Sequence, residues 1–351
     1  MLINVIDTRQ THFYREVHFV RTENTIVPLG ITSSLLRDEQ GNDYGVVSVF
    51  SDLTEIKKRK FLQDTLIRYV TKQVVDLILE HPETIVLDGE EREATILFSD
   101  IRGFTSLAEK MKPKELVQML REYFTLMVGV VFQFQGTVDK FIGDAIMSIF
   151  GAPTPQSNHA ELAVRTALEM RRLLGIFNAN RVQKEQKPVD IGVGISTGAV
   201  VVGNIGSEQR LEYTAIGDAV NLASRLEGIN KQYGTHIIMS EFTYHHVKNV
   251  IVERELDEVR VKGRHEPVKI YEVMGKPGEV SEITKKLRDR FAQGLAHYRK
   301  KAWDGAVEQF QQVLQLAPSD VPAQLYLDRC AMYKQNPPPE DWDGVFEMTT
   351  K

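Results

Sequence analysis

Residues 141–151 read Phe-Ile-Gly-Asp-Ala-Ile-Met-Ser-Ile-Phe-Gly. Asp144 stands there beside a glycine and among apolar, strand-forming residues, so it reads as a carboxylate at a turn next to buried strands. An aspartate in that setting is expensive to bury unless a cation, a hydrogen-bond donor or water meets it. A second carboxylate has the same surroundings: Asp100 closes the run Thr-Ile-Leu-Phe-Ser and precedes Ile101-Arg102-Gly103-Phe104. Either residue alone reads equally well as a capping or salt-bridging aspartate. Taken together, with no cysteine or histidine ligand nearby, their hard oxygens suit Mg²⁺ or Mn²⁺ rather than zinc. Gly103 and its neighbours can turn backbone N–H groups toward a phosphate at the start of the following helix.

Outward from these two points, apolar residues recur with strand-like density over 94–100 and 189–206 and with helical spacing over 113–134 and 159–176. That alternation indicates an α/β or α+β domain around a central sheet. The chain of 351 residues has room for about two or three domains. Its 42% hydrophobic and 26% charged content excludes disorder as the main state. A net charge of −5 gives no long-range attraction to nucleic acid, and the nine histidines form no HxxxH metal pattern. The single cysteine, Cys330, fits a reducing compartment and excludes a Cys-rich zinc site. The longest apolar stretch, 125–134, is about half of what spans a bilayer, and no signal pattern opens the chain. The expectation is a cytoplasmic protein with no membrane span.

Residues 1–56 contain several β-like runs separated by turn formers such as Gln40-Gly41-Asn42-Asp43. Their end, SVFSDLTEIKKRK, resembles the closing strand and exit motif of a PAS sensor domain, of which about half the usual length is present. A β meander used for dimerisation fits the same residues. Over 57–88 the pattern becomes helical, with Leu62, Leu66, Tyr69, Val70, Val74, Leu77 and Ile78 forming one stripe that ends at His81-Pro82. The stripe is either a parallel dimer seam or a helix packed on its own domain. In 283–351, Gly294, Tyr298, Ala306, Phe310 and Pro318 fall at offsets resembling one tetratricopeptide repeat, although a plain helical hairpin has the same signature. One repeat cannot bury its apolar faces alone, so it must pack on the central domain, on a second chain or on a protein partner.

Four ordered motifs lie between residues 89 and 276: FSDIRGFT, DKFIGDAIMSIFG, LEYTAIGDAVNLASRLE and VRVKGR. In that order they resemble the catalytic domain of class III nucleotidyl cyclases. The resemblance implies an α+β, ferredoxin-like βαββαβ core with additions, working as a head-to-tail homodimer with sites at the interface. It implies metal ligation by Asp100, Asp144 and the Ile101 carbonyl, with two Mg²⁺ per site and Mn²⁺ able to substitute. It places the base-reading pair at Lys140 and Thr214, where the ammonium donates to adenine N1 and the hydroxyl accepts from N6. Guanylate-specific members tend to carry glutamate at the lysine position. Many adenylyl cyclases have aspartate where this chain has Thr214, a weaker acceptor, so looser selection against GTP is expected.

Asn221 and Arg225, four apart, share one helix face. The resemblance assigns the first to the ribose and the second, a planar fork of donors, to the transition-state phosphate. Lys262 matches the lysine that holds the terminal phosphates, and Gly103 and Phe104 lie in the phosphate-side loop. Outside these motifs the residues read blandly: Lys140 as a solvated strand-end lysine, Thr214 as a plain β residue, Asn221 as a cap, Arg225 as a partner for Glu227. The implied activity is conversion of ATP to 3′,5′-cyclic AMP and pyrophosphate, within signal transduction. A guanylate or dual-specificity cyclase and a silent nucleotide-sensing module are the alternatives. The threonine also permits regulation by bicarbonate or another small ligand.

Overall fold

The computed structural model describes residues 13–20, 26–66, 89–207, 209–260, 266–339 and 342–347. They belong to two compact units, Met1–Leu79 and Glu80–Lys351.

In the first unit, β1 (Phe13–Val20), β2 (Ile26–Arg37) and β3 (Asp43–Asp52) form an antiparallel sheet in sequential order. The turn before β3 is fixed by Asp38, whose Oδ1 accepts from the Gln40 and Asn42 amides at 3.0 and 2.7 Å. Helix α1 (Thr54–Leu66) starts directly after β3, and Asp52 Oδ1 accepts the Thr54 amide at 2.8 Å. The strand-to-helix exit read from Ser51-Asp52 is therefore present. Leu62 and Leu66 fall in α1, while the rest of the expected stripe, Tyr69 to Ile78, lies outside the described residues.

In the second unit the expected βαββαβ core is present. It comprises β4 (Glu90–Ile101), short α2 (Phe104–Ala108), α3 (Pro113–Gln133), β5 (Thr137–Ile142), β6 (Ala145–Phe150), α4 (His159–Gln183) and β7 (Ile191–Ser207). The strands lie in the order β7-β4-β6-β5, each pair antiparallel, with β4 central. Proline at the first position of α3 costs no hydrogen bond, and Met119, Tyr123, Met127, Val130 and Val131 bury one face of it. The run 141–151 is a hairpin, turned at Gly143, whose φ of 66° favours glycine. Helix α4 extends past residue 176 because Phe177 and Arg181 continue its buried face.

Strand alternation assigns the two faces of β4. Leu97 and Ile101 join the core under α3 and α4, whereas Ile96 and Phe98 join the core on the opposite side. That opposite side is covered by α5 (Asp218–Tyr233) and by β8 (Arg210–Ile216), which forms a hairpin with the end of β7. Ala215 of β8 belongs to the same buried cluster as Ala94, Ile96 and Met147, and β8 side chains bond to β5 across the sheet. The sheet continues through β9 (Ile237–Ser240), β11 (Val268–Gly275), β10 (Val252–Arg260) and β12 (Phe346–Glu347), with α6 (Glu241–Val247) between β9 and β10.

The tail contains α7 (Glu282–Arg299), α8 (Trp303–Leu316) and α9 (Val321–Gln335). A Cβ on Gly294 would stand 2.7 Å from the Phe310 ring, which explains why the repeat-like pattern needs glycine there. The tail packs on the sheet-bearing part of its own chain. Arg254 of β10 pairs with Asp320 at 2.7 Å and Glu272 at 2.6 Å, and Tyr326 donates to the Leu256 carbonyl at 2.9 Å. Arg329 pairs with Asp257 at 2.6 Å, and Tyr233 of α5 donates to the same carboxylate at 2.5 Å.

Candidate active site

Asp100 is the penultimate residue of β4 and sits across from Gly192 of β7, so its side chain emerges on the α5 side of the sheet. Asp144 occupies the β5–β6 turn, and β6 lies directly beside β4. The two aspartates named from sequence are thereby brought together. Asp100 Oδ1 accepts the Ile101 amide at 3.0 Å, and Asp144 Oδ2 is buried without a hydrogen-bond partner among the described residues. Burial, then the neighbouring Asp144, push the Asp100 carboxyl up to about 7.

A third carboxyl adds to the field. Glu227 of α5 is pushed up to about 7 by burial and by Asp144, against the opposing pull of Arg102. It comes this close because β7 carries glycine where α5 crosses it. A Cβ on Gly194 would meet the Ala223 carbonyl and the Glu227 amide at 2.2 Å, and one on Gly192 would meet Glu227 Oε1 at 2.5 Å. Glu227 thus turns toward the aspartates and not toward Arg225, as two residues apart on a helix do not face each other.

Asn221 and Arg225 lie on the other side of α5. Ala219, Ala223 and Asn230 face the sheet, while Asn221 is exposed and Arg225 half-buried. Neither side chain has a hydrogen-bond or ion-pair partner among the described residues. The structure places this pair together on one helix face, as its spacing predicts, and separates it from Asp100 and Asp144 of the same chain by the body of the helix. Gly103 has a φ of 64° and caps α2, with open space where a Cβ would go. The Phe104 side chain is half-buried and packs against the α3–α4 core. Lys262 lies outside the described residues.

Lys140 and Thr214 are also brought together, through a residue the sequence reading passed over. Thr214 Oγ1 donates to Asp139 Oδ2 at 2.5 Å. Lys140 Nζ stands 3.7 Å from Asp139 Oδ1 and donates to Glu212 at 2.7 Å.

The residues fit a divalent cation. Two carboxyls held against each other, one with an orphaned buried oxygen, form a hard-oxygen site in need of positive charge. Among the described residues no cluster of three or more His, Cys, Asp or Glu side chains is arranged to hold a metal.

A family model for the adenylate and guanylate cyclase catalytic domain matches residues 87–275, more than half of the chain. The chain belongs to this cyclase family. Over 284 residues it is 35% identical to the terminal-differentiation-specific adenylate cyclase of Dictyostelium discoideum, covering 78% of this chain and 13% of the relative. Over 211 residues it is 39% identical to adenylate cyclase 1 of Rhizobium meliloti, covering 60% and 32%. With these and the adenylate cyclase of Anabaena cylindrica, the chain spans between 13% and 44% of the relative's length. Among solved structures, the adenylyl cyclase CyaB from P. aeruginosa is 37% identical with a TM-score of 0.51, covering 56% of this chain and 100% of that one. The guanylyl cyclase Cya2 is 40% identical with a TM-score of 0.50, covering 55% and 98%.

Within the cyclase domain, three acidic residues escaped the sequence reading as site members: Asp139, Glu212 and Glu227. Asp139 left a signal, a charged residue out of step with the apolar alternation of its strand. Glu212 and Glu227 left none, as acids on an exposed hairpin and a helix are ordinary.

Proposed function

We propose that this chain is an adenylate cyclase that converts ATP to 3′,5′-cyclic AMP and pyrophosphate in sites shared between two copies. One observation supports the reading: α5 has the paired aspartates, with an unmatched oxygen on Asp144, on one side and the unpartnered Asn221 and Arg225 on the other. Within one chain the two sets cannot address the same phosphate, and a two-fold pair of chains brings each set opposite the other.

Asp100, Asp144 and the Ile101 carbonyl would hold the metal. When bound, Mg²⁺ or Mn²⁺ supplies charge that lowers the pKa of the ribose 3′-hydroxyl and neutralises the triphosphate. The chain's own groups do the rest. Asn221 orients the ribose so that the 3′-oxygen lies in line with the α-phosphate, where proximity alone is worth several orders of magnitude. The Arg225 fork stabilises charge developing on the α-phosphate. Lys262 and the backbone around Gly103 and Phe104 are assigned to the outer phosphates. Lys140 and Thr214 read the base, the lysine donating to adenine N1 and the threonine accepting from N6.

Similarity alone does not choose the base, since both an adenylyl and a guanylyl cyclase are close in fold and identity. Lys140 favours ATP, because N1 of guanine carries a proton and offers no acceptor to an ammonium. No helix among the described residues is long and apolar enough to cross a membrane. The test is cyclic nucleotide production with Mg²⁺ or Mn²⁺ from ATP and from GTP separately. Cyclic AMP formation lost in Asp144→Ala supports the reading, whereas cyclic GMP as the main product reverses the base assignment. Mixing Asp144→Ala with Arg225→Ala chains should restore about a quarter of the parental rate, because half of randomly formed dimers carry one intact site of two. No recovery in confirmed mixed dimers would exclude shared sites.

A further inference from the structure

A hydroxyl both donates and accepts, so a threonine discriminates between bases only when its own proton is committed elsewhere. The Thr214 proton is committed. Oγ1 donates to Asp139 Oδ2 at 2.5 Å, the short range of an O–H bond to an ionised carboxylate. We propose that Asp139 is a specificity-positioning residue: by taking the Thr214 proton it leaves Thr214 only lone pairs to offer, so that the pocket accepts the 6-amino group of adenine and rejects the 6-carbonyl of guanine. The inference rests on the reading of Lys140 and Thr214 as the base-reading pair.

The backbone makes this arrangement possible. On the β5–β6 ladder Val138 pairs with Ser148 and Lys140 with Met147, so Asp139 is the extra residue of a β-bulge. In a regular strand Asp139 and Lys140 would point to opposite faces. The bulge cancels the alternation and brings the Lys140 ammonium to 3.7 Å from Asp139 Oδ1. The Asp139 side chain is 1% exposed, and its Oδ1 has no hydrogen-bond partner among the described residues. A carboxylate so buried, with one oxygen spent on Thr214 and the other open beside the lysine, is an unfinished site. Burial, helped by Glu212, pushes its carboxyl above the ordinary value, while the Thr214 hydroxyl and then the Lys140 charge oppose that rise.

Asp139 also places the lysine. An ammonium has three donors. One is used on Glu212 at 2.7 Å, and the Asp139 carboxylate flanks the same group. The pull of two acids holds Nζ beside Thr214, with a donor left for N1 of the ring. Lysine and threonine then present donor and acceptor side by side, the complement of the adenine edge. This offsets the weakness expected of a threonine in place of an aspartate: the carboxylate stands one bond behind the hydroxyl.

The experiment compares the full chain with Asp139→Ala, Asp139→Asn, Thr214→Val and the double variant Asp139→Ala/Thr214→Val. The readout is the ratio of kcat/KM for ATP to that for GTP. Binding of the α,β-methylene analogues of ATP and GTP gives a second ratio independent of turnover. In Asp139→Ala the hydroxyl is free to donate to a guanine carbonyl, and both ratios should fall about tenfold, the worth of one hydrogen bond. In Asp139→Asn the amide oxygen should turn to Lys140 and its N–H₂ to Thr214, reversing the hydroxyl, with a fall at least as large. In the Thr214→Val background, Asp139→Ala should lower the ratios by much less than it does in the parent chain, since there is no proton left to orient and only the carboxylate flanking Lys140 is lost. A general loss of stability would lower both nucleotides together and leave the ratios alone. If Thr214→Val lowers the ratios and both Asp139 variants keep the parental values, the proposal is wrong and the base-reading pair stands. If Thr214→Val itself changes nothing, the pair is wrong and the proposal falls with it.

Discussion

Asp139 and Asp257 are built alike and finished differently. Each lies at a β-bulge, each is buried, and each accepts a hydroxyl at 2.5 Å, from Thr214 and Tyr233 respectively. Each has a cation beside it. Asp257 is closed: Arg329 reaches the same Oδ2 at 2.6 Å and the Glu258 amide donates to Oδ1 at 2.8 Å. Asp139 is open, with Lys140 standing off at 3.7 Å and Oδ1 unmatched. Asp144 shares that openness. One fold thus uses the same device at two ends of its sheet, completed by protein at the tail seam and left open at the end that carries the cyclase motifs. A buried acid missing a partner is therefore a better guide to function here than a buried acid as such.

The sharpest break between the two ends is expected from Asp144→Ala. Product formation should fall at least a thousandfold, the rate equivalent of several kcal/mol of charge stabilisation, while thermal stability holds or rises because a like-charge neighbour of Asp100 is gone. A variant that unfolds would make Asp144 a structural acid and erase the contrast. At the seam the expectation is inverted. Arg329→Met keeps the aliphatic packing but strands Asp257, and denaturant unfolding should show a loss of about 3 kcal/mol. Stability within the error of the parent chain would mean the seam is as dispensable as a surface pair.

Smaller effects refine the picture. Tyr233→Phe should cost about 1 to 2 kcal/mol, because Asp257 keeps its arginine and its amide. Acidity separates the ends once more. Asp100 and Glu227 have folded-state values near 7, above the ordinary carboxylate range, so folding takes up protons and their contribution is fully present below about pH 4. It is lost as pH rises through 7. The chelated chain should melt at a lower temperature at pH 8 than at pH 5.5, and Mg²⁺ or Asp144→Asn should narrow the gap. A pH-independent melt would show that the carboxyls relax apart.

Much of the catalytic end was legible because its chemistry is local in sequence. Asp100 and Asp144 read as acids next to apolar strands and Asn221 with Arg225 as a shared helix face, while the roles proposed for all four come from the resemblance that the motifs carry. The alternation of helices and strands around them indicated a central sheet, while the βαββαβ core came from the resemblance that the four motifs carry. The tail seam was not legible, since Asp257 and Arg329 are 72 residues apart and nothing in either neighbourhood records the pairing. Bulges hid the rest. They shift the side-chain parity at Asp139 and Asp257, the quantity that a pattern of alternation relies on.

The seam also says where this molecule can be divided. The family match stops at residue 275, yet Asp257 finds its cation, and the Leu256 carbonyl its tyrosine donor, on the far side of that limit. An extension that merely rests on a finished domain is portable and can be lost or exchanged without consequence. This one has been written into the charge balance of the domain it follows, so the unit that the family model matches and the unit that packs together do not share a boundary.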